Sequence, residues 1–107
     1  MSNPPSDDRI FKALASPARR LILDRLRDRP MTTGSLCVEL PELDRCTVMQ
    51  HLNVLEEANL VIAQRRGRER WNHLNSVPIK RIYDRWISPY AEHAVILLDR
   101  LQTDLED

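Results

Sequence analysis

Between Leu60 and Leu74 the hydrophobic rhythm of the chain changes. On either side of this stretch apolar residues recur every three or four positions, the period of an amphipathic helix. Within it, Leu60-Val61-Ile62-Ala63-Gln64-Arg65 is a short β-like run. Arg66-Gly67 can turn the chain, and Glu69-Arg70-Trp71-Asn72-His73-Leu74 brings it back as a second strand. A single hairpin set among helices leaves few architectures open. The chain has only two glycines, Gly34 and Gly67, and no Gly-rich phosphate-binding motif, which excludes a parallel α/β fold built around a nucleotide.

The helical segments have readable ends. Ile10, Phe11 and Leu14 share one face over residues 7–15. Ser16-Pro17 reads as an N-cap and first helical residue. It opens a helix over about 17–28 with Leu21, Ile22 and Leu26 on its inner side, stopped by Pro30. Thr33 is placed to cap a short helix through Glu39, with Leu36 and Leu40 inward and Pro41 beyond. Asp44 is placed to cap a longer helix over about 45–58, in which Val48, Leu52 and Leu55 form a narrow buried stripe. Asn59 suits the left-handed residue that ends it. Pro78 opens a further helix with Ile79, Ile82, Tyr83 and Trp86 on one face. Ser88-Pro89 breaks that helix and caps a last one.

This order predicts a mainly α fold with a two-stranded β wing, a winged helix-turn-helix in a single domain over residues 1–107. The helix-turn-helix falls at about 33–59, the wing at about 60–75 and the C-terminal dimerisation helices at about 78–105. The terminal helices are expected to pair between two chains through Ile10, Phe11, Leu14, Tyr90, Ala94, Leu97, Leu98, Leu101 and Leu105. Trp71, Tyr83 and Trp86 fit a core or a dimer seam better than a base-stacking platform.

Net charge is zero, so bulk charge does not point to nucleic acid; its distribution does. Arg65, Arg66, Arg68 and Arg70 in the hairpin face one acid, Glu69. Glu92, Asp99, Asp104, Glu106 and Asp107 at the C-terminal end face one base, Arg100. One short segment attracts phosphate and the end of the chain repels it. The basic residues are 14 Arg and 2 Lys, and the guanidinium fork suits bidentate phosphate and guanine contacts. The helix over 45–58 turns Arg45, Met49, Gln50 and Asn53 off its buried stripe. Gln50 matches adenine, Arg45 guanine and Met49 a thymine methyl, while Thr47 and His51 can bond phosphate or a base edge. Arg66 and Arg68 flank the hairpin tip, where long side chains follow a backbone or enter a minor groove. The expected partners are double-stranded DNA and a second copy of the chain.

At these residues the sequence resembles a known family. Lys12-Ala13-Leu14-Ala15-Ser16-Pro17-Ala18-Arg19-Arg20-Leu21-Ile22-Leu23 is similar to the second-helix signature of ArsR-type bacterial regulators. The stretch Leu43 to Leu60, with Thr47-Val48 and His51-Leu52-Asn53-Val54-Leu55, resembles their recognition helix, and Arg65-Arg66-Gly67-Arg68 with Trp71 and Leu74 their wing. The resemblance covers about residues 8–90. It implies a homodimeric winged-helix repressor of operators, often relieved by a metal or another signal. The chain departs from the metal-sensing members: Cys37-Val38-Glu39 keeps only the first thiol of a Cys-x-Cys pair, and the last helix has one histidine, His93. No metal or other cofactor is therefore expected, and the inducer is left open.

Other readings stay beside this one. A winged helix can serve as a protein-interaction module without DNA, but such a module has no need of four arginines in its wing. Cys37, or Cys46 at a helix start, can act as a thiol sensor if exposed and acidic. With Glu92, His93 can contribute to a metal site shared with a partner chain. Enzyme chemistry is not expected: the three histidines, at 51, 73 and 93, stand in no nucleophilic or acid–base motif. No apolar run reaches the roughly 18–20 residues of a membrane span. The polar N-terminus lacks a signal-peptide core, so a cytoplasmic protein is expected.

Overall fold

The computed structural model describes residues 4–89 and 92–106. Six helices and three short strands follow one another among these residues. Helix α1 is Pro4–Leu14, α2 Pro17–Asp28, β1 Met31–Thr32, α3 Thr33–Glu39 and α4 Arg45–Glu57. Then come β2 Val61–Arg66, β3 Glu69–Leu74, α5 Val77–Trp86 and α6 Glu92–Glu106.

The helix ends follow from local chemistry. The Ser16 hydroxyl accepts from the Arg19 N–H at 3.3 Å and Pro17 enters at the first helical position, so α2 starts as expected. Helix α3 is capped one residue earlier than predicted. Thr32 Oγ1 accepts from the Ser35 N–H at 3.1 Å. Thr33 is the first helical residue and is buried, with its hydroxyl accepting from Asn72 Nδ2 at 3.2 Å. Asp44 Oδ1 accepts from the Thr47 N–H at 2.8 Å and starts α4. At its other end Asn59 has a φ of 62°, as expected of a left-handed terminator. The Asn59 N–H then reaches the Glu56 carbonyl and the Leu60 N–H the Leu55 carbonyl, the paired bonds of a Schellman ending.

The core is built by residues 10–61. Ile10 and Ala13 of α1, Ile22, Leu23 and Leu26 of α2, and Leu36 and Leu40 close on Val48, Leu52 and Leu55 of α4. Two details differ from the sequence reading. In α2, Leu23 is buried and Leu21 is open, because the inward arc runs through Ile22, Leu23 and Leu26. Ile10, expected at a dimer seam, is only 1% exposed and lies in the core of the chain, so it is not available to a second copy.

The sheet has three strands in the order β1-β3-β2, not two. Met31 pairs with Asn72 and Thr32 with Trp71, which puts β3 at the centre. A two-residue strand just after Pro30 has no period to read. Buried Asn72 fastens this edge by donating Nδ2 to the Met31 carbonyl at 3.2 Å as well as to Thr33. On the other side β2 and β3 pair from Val61–Leu74 to Arg66–Glu69, leaving Gly67-Arg68 as the loop, one residue later than expected. Gly67 has a φ of 62°, the left-handed value that glycine at the first position of a II′ hairpin supplies without strain.

Beyond the wing, Pro78 sits in the first turn of α5. Ser88 and Pro89 form a turn rather than the capped helix start predicted there, and α6 is described over Glu92–Glu106. Tyr90, predicted at the dimer seam, lies outside the described residues. No described helix is long and apolar enough to cross a membrane.

Candidate nucleic-acid interface

Helix α4 is held from below by Val48, Leu52 and Leu55, all fully buried. At 100° per residue, the face opposite this stripe carries Cys46, Gln50, Asn53 and Glu57, all exposed. Arg45 is also exposed, at the helix start beside the wing. Thr47, Met49 and His51 are half-buried on the flanks. The open face thus holds Gln50 and Asn53 as predicted, and adds the thiol of Cys46. Hydrophobic periodicity could have placed Cys46 there, since it lies four residues before Gln50.

The flank residues are already engaged. Met49 packs against the core while lining the cleft beside the wing, so only part of it is free for a ligand. Thr47 bonds Asp44 through its N–H and its hydroxyl, and the N–H chiefly holds the Asp44 carboxyl below its ordinary value. That negative charge at the helix start also suits the dipole. His51 Nδ1 lies 3.3 Å from Nη1 of Arg19 on α2. Partial burial, and then the Arg19 charge, push this imidazole below its ordinary value.

The wing arginines divide into two groups. Arg65, Arg66 and Arg68 are exposed and make no ion pair among the described residues. The Arg66 guanidinium rests 5.7 Å from the centre of the half-buried Trp71 ring, a cation–π contact that orients it without neutralising it. Arg70 behaves differently. Only 12% of its side chain is exposed, and it donates to Glu56 at 3.1 Å and to Asn53 at 3.3 Å. It braces β3 against α4, so wing and helix are held at one angle. All four arginines look alike in the sequence, because residue type does not reveal which one has an acid within reach.

Between the helix and the wing lies an open cleft of about 410 Å³. Arg45 and Met49 line it from α4, Arg65, Arg68, Glu69 and Arg70 from the wing, and Thr32, Thr33 and Gly34 from the start of α3. With Arg70 already paired to Glu56, three further guanidinium groups against the Glu69 carboxylate still make it a place for a polyanion. The sequence gives no sign of residues 32–34 there; they arrive through the β1–β3 pairing.

A second surface lies at the other end. Phe11 of α1 and Trp86 of α5 meet with ring centres 5.6 Å apart, yet both stay more than two-fifths exposed. Tyr83, Ile87, Val95, Ile96, Leu97, Leu98, Leu101 and Leu105 are exposed as well, Leu98 at 61% and Leu101 at 53%. Leu14 is partly buried against the core, and Ala94 is half-buried. Of the cysteines, Cys37 is half-buried and Cys46 exposed. Among the described residues no three His, Cys, Asp or Glu side chains gather as a metal site would require.

Comparison with known proteins agrees with this architecture. Residues 14–63 match a helix-turn-helix domain family. The HTH-type transcriptional regulator YuzN of Bacillus subtilis is 40% identical over 86 residues, covering 75% of this chain and 94% of YuzN. The transcriptional repressor SdpR of the same organism is 31% identical over 71 residues, 66% of this chain and 78% of SdpR. A crystal structure of the ArsR family transcriptional regulator RHA00566 superposes with a TM-score of 0.73 at 27% identity, covering 82% of this chain and 89% of that one. With the helix-turn-helix, the basic wing and these relatives together, the chain belongs to the ArsR-type family of winged helix-turn-helix, DNA-binding transcriptional regulators.

Proposed function

We propose that the chain is a cytoplasmic repressor that acts as a homodimer on an imperfect palindrome in double-stranded DNA. The observation that carries this reading is the arrangement around the open cleft. Helix α4 offers exposed Gln50 and Arg45, and the adjoining wing offers Arg65, Arg66 and Arg68, which have no acid partner among the described residues. A helix fits the major groove and its polar side chains read base edges, while arginines on a hairpin follow the backbone. Gln50 is the proposed adenine reader and Arg45 the guanine reader. Asn53 takes part through the amide that Arg70 orients, and Thr47 and His51 work from the flanks. Met49 offers its exposed portion to a thymine methyl. Arg70 contributes by holding the wing to the helix.

Dimerisation is supported by the apolar surface of α1, α5 and α6. Phe11, Leu97, Leu98, Leu101 and Leu105 are too many large apolar groups to leave in water on a stable monomer, and a second copy covers them by two-fold symmetry. Two recognition helices then stand about one DNA turn apart. Repression follows from occlusion of a promoter and agrees with the likeness to SdpR, a transcriptional repressor.

The test is a fluorescence-anisotropy titration of the full chain against duplexes from its own upstream region and against random duplex, at several salt concentrations. Tight binding to one upstream site, steeply weakened by salt, is expected. Equal and weak binding to all duplexes would remove the sequence-specific reading.

A further inference from the structure

One guanidinium joins three helices. Arg19 lies in the first turn of α2, just after the Ser16 cap. Its Nε donates to the Ala13 carbonyl at 2.8 Å and its Nη2 to the Lys12 carbonyl at 3.2 Å. These carbonyls belong to the last turn of α1, where a helix leaves acceptors without intrahelical partners; that of Lys12 also accepts from the Ala15 N–H at 3.2 Å. The remaining arm, Nη1, lies 3.3 Å from Nδ1 of His51, 32 residues further along the chain.

The chemistry of this contact has one solution. A guanidinium has only donors, and it stays charged at any pH the protein meets. For this contact to be a hydrogen bond, Nδ1 of His51 must be the acceptor and carry no proton. A neutral imidazole with a bare Nδ1 carries its hydrogen on Nε2. Nε2 has no partner among the described residues, and it is not among the enclosed, unpartnered atoms, so solvent reaches it. Partial burial and the adjacent Arg19 charge both oppose a second proton on the ring. A cap for α1 alone needs the two carbonyl bonds; it gains nothing from the third arm.

We propose that Arg19 is a positioning residue for DNA recognition: anchored on the last carbonyls of α1, it takes up Nδ1 of His51 and so presets the imidazole of α4 as a solvent-facing N–H donor to an acceptor oxygen or nitrogen on DNA. This assignment rests on the reading that α4 lies against the duplex. A phosphate oxygen and a base-edge acceptor offer the same chemistry to this donor, and the choice of duplex separates them.

The first measurement needs no DNA. A long-range proton–nitrogen correlation spectrum of the full chain at pH 7.5 reports which imidazole nitrogen is protonated. His51 is expected as the Nε2–H tautomer, and Arg19→Gln is expected to let the ring exchange between tautomers. A wild-type ring protonated on Nδ1, or a spectrum unchanged in Arg19→Gln, overturns the proposal. The second measurement titrates the variants with the upstream site and with random duplex. His51→Asn keeps an acceptor near the Nδ1 position and removes the outer donor. It is expected to unfold at the wild-type temperature and to bind the upstream site about 3- to 10-fold more weakly, the worth of one hydrogen bond. An equal loss on random duplex identifies a phosphate acceptor; a loss confined to the upstream site identifies a base edge. The double variant Arg19→Gln with His51→Asn is expected to bind no more weakly than the more affected single variant, because Arg19 acts through His51. Independent losses that add, or wild-type affinity in His51→Asn, overturn the assignment. If Arg19→Gln fails to fold, the wild-type tautomer and the His51→Asn titration still decide. A wild type that binds no duplex removes the underlying reading instead, which is a different result from binding that His51→Asn leaves unchanged.

Discussion

The two ends of the molecule solve their folding problem differently. Around α4, apolar side chains are sealed within one chain, with Asn72 tied to Met31 and Thr33 in the interior, and polar links fix the side chains nearer the surface: Arg19 to His51, and Arg70 to Glu56 and Asn53. Around α5 and α6 the balance is reversed. Pro78 is the only buried residue described in these helices, while leucine after leucine in α6 faces outward. The one ion pair that ties these two helices to the rest of the chain among the described residues is Arg85 of α5 to Asp7 at 3.6 Å. The first end needs no partner to hold its shape, as a surface that presents side chains to DNA at fixed distances requires. The second end leaves its apolar side chains uncovered within one chain, and on the proposed reading a second copy covers them.

The same chemical deletion placed in each end gives the largest contrast. Leu52 is fully buried, so Leu52→Ala strips packing from the core and leaves a cavity costing about 2–5 kcal/mol of folding stability. Leu101, 53% exposed, is packed against little within one chain. Leu101→Ala should leave the urea midpoint at high dilution near the wild-type value and weaken association instead. Leu98→Asp goes further, because a carboxylate in an apolar seam costs several kcal/mol unless it is paired. Sedimentation should then find monomer, and affinity for the upstream site should collapse with it. A wild type already monomeric at micromolar concentration would show that α6 serves some other partner.

Next in size is the wing. Arg66→Ala with Arg68→Ala removes two cations that have no acid partner among the described residues, so no such ion pair is lost with them. Binding should weaken on upstream and random duplex alike. The slope of log affinity against log salt should become shallower by about 0.9 for each phosphate that an arginine no longer neutralises. Arg70→Ala should behave differently: it releases the helix from the wing and leaves Glu56 unpaired, so it should cost specific binding more than non-specific binding. Identical salt slopes for the wild type and the Arg66/Arg68 double variant would place the wing off the backbone.

Gln50 follows. Its position opposite Val48 and Leu52 leaves it exposed, and its amide matches adenine in the major groove. Gln50→Ala should cost roughly 1–3 kcal/mol on the upstream site and almost nothing on random duplex, since no charge is removed. Selection of binding sites from a random pool should show relaxed preference at one base pair per half-site. Unchanged preferences would shift the reading role to Arg45.

How much of the molecule is legible in its sequence depends on whether the information is local. Helix ends are readable because caps are written in adjacent residues: Ser16-Pro17, Asp44 and Asn59 all act where they are expected. The stripe of Val48, Leu52 and Leu55 is readable because its period is its signal. Strand β1 is not, because Met31 and Thr32 become a strand only when β3 arrives some forty residues later. Its consequences are hidden with it: the shift of the α3 cap from Thr33 to Thr32, and the entry of residues 32–34 into the cleft. The division among the wing arginines is hidden for the same reason, since Glu56 and Asn53 reach Arg70 only across the tertiary fold. Candidate base readers can be chosen from the phase of α4, but the engagement of His51 by Arg19 has no counterpart in either local pattern.

The smallest expected effect separates the two ends by pH. His51 is held below its ordinary value by partial burial first and by the Arg19 charge second. An unfolded chain therefore binds a proton on this ring at a pH where the folded chain does not. The stability that depends on a neutral His51 is complete above about pH 6.5, the ordinary histidine value, and declines as pH falls below it. Asp44, the cap of the same helix, has a depressed value chiefly because the Thr47 N–H bonds its carboxylate. Its contribution is lost only as pH falls below about 4, the ordinary carboxylate range. A step from pH 7.5 to 5.5 thus reaches His51 and spares Asp44. Urea midpoints should fall across that step in the wild type and stay nearly level in His51→Asn. Leu101→Ala, measured at the same dilution, should repeat the wild-type fall, because the proton site lies in the self-contained end. An equal fall in His51→Asn would assign the titration to another group, and a fall abolished in Leu101→Ala would move it to the apolar end.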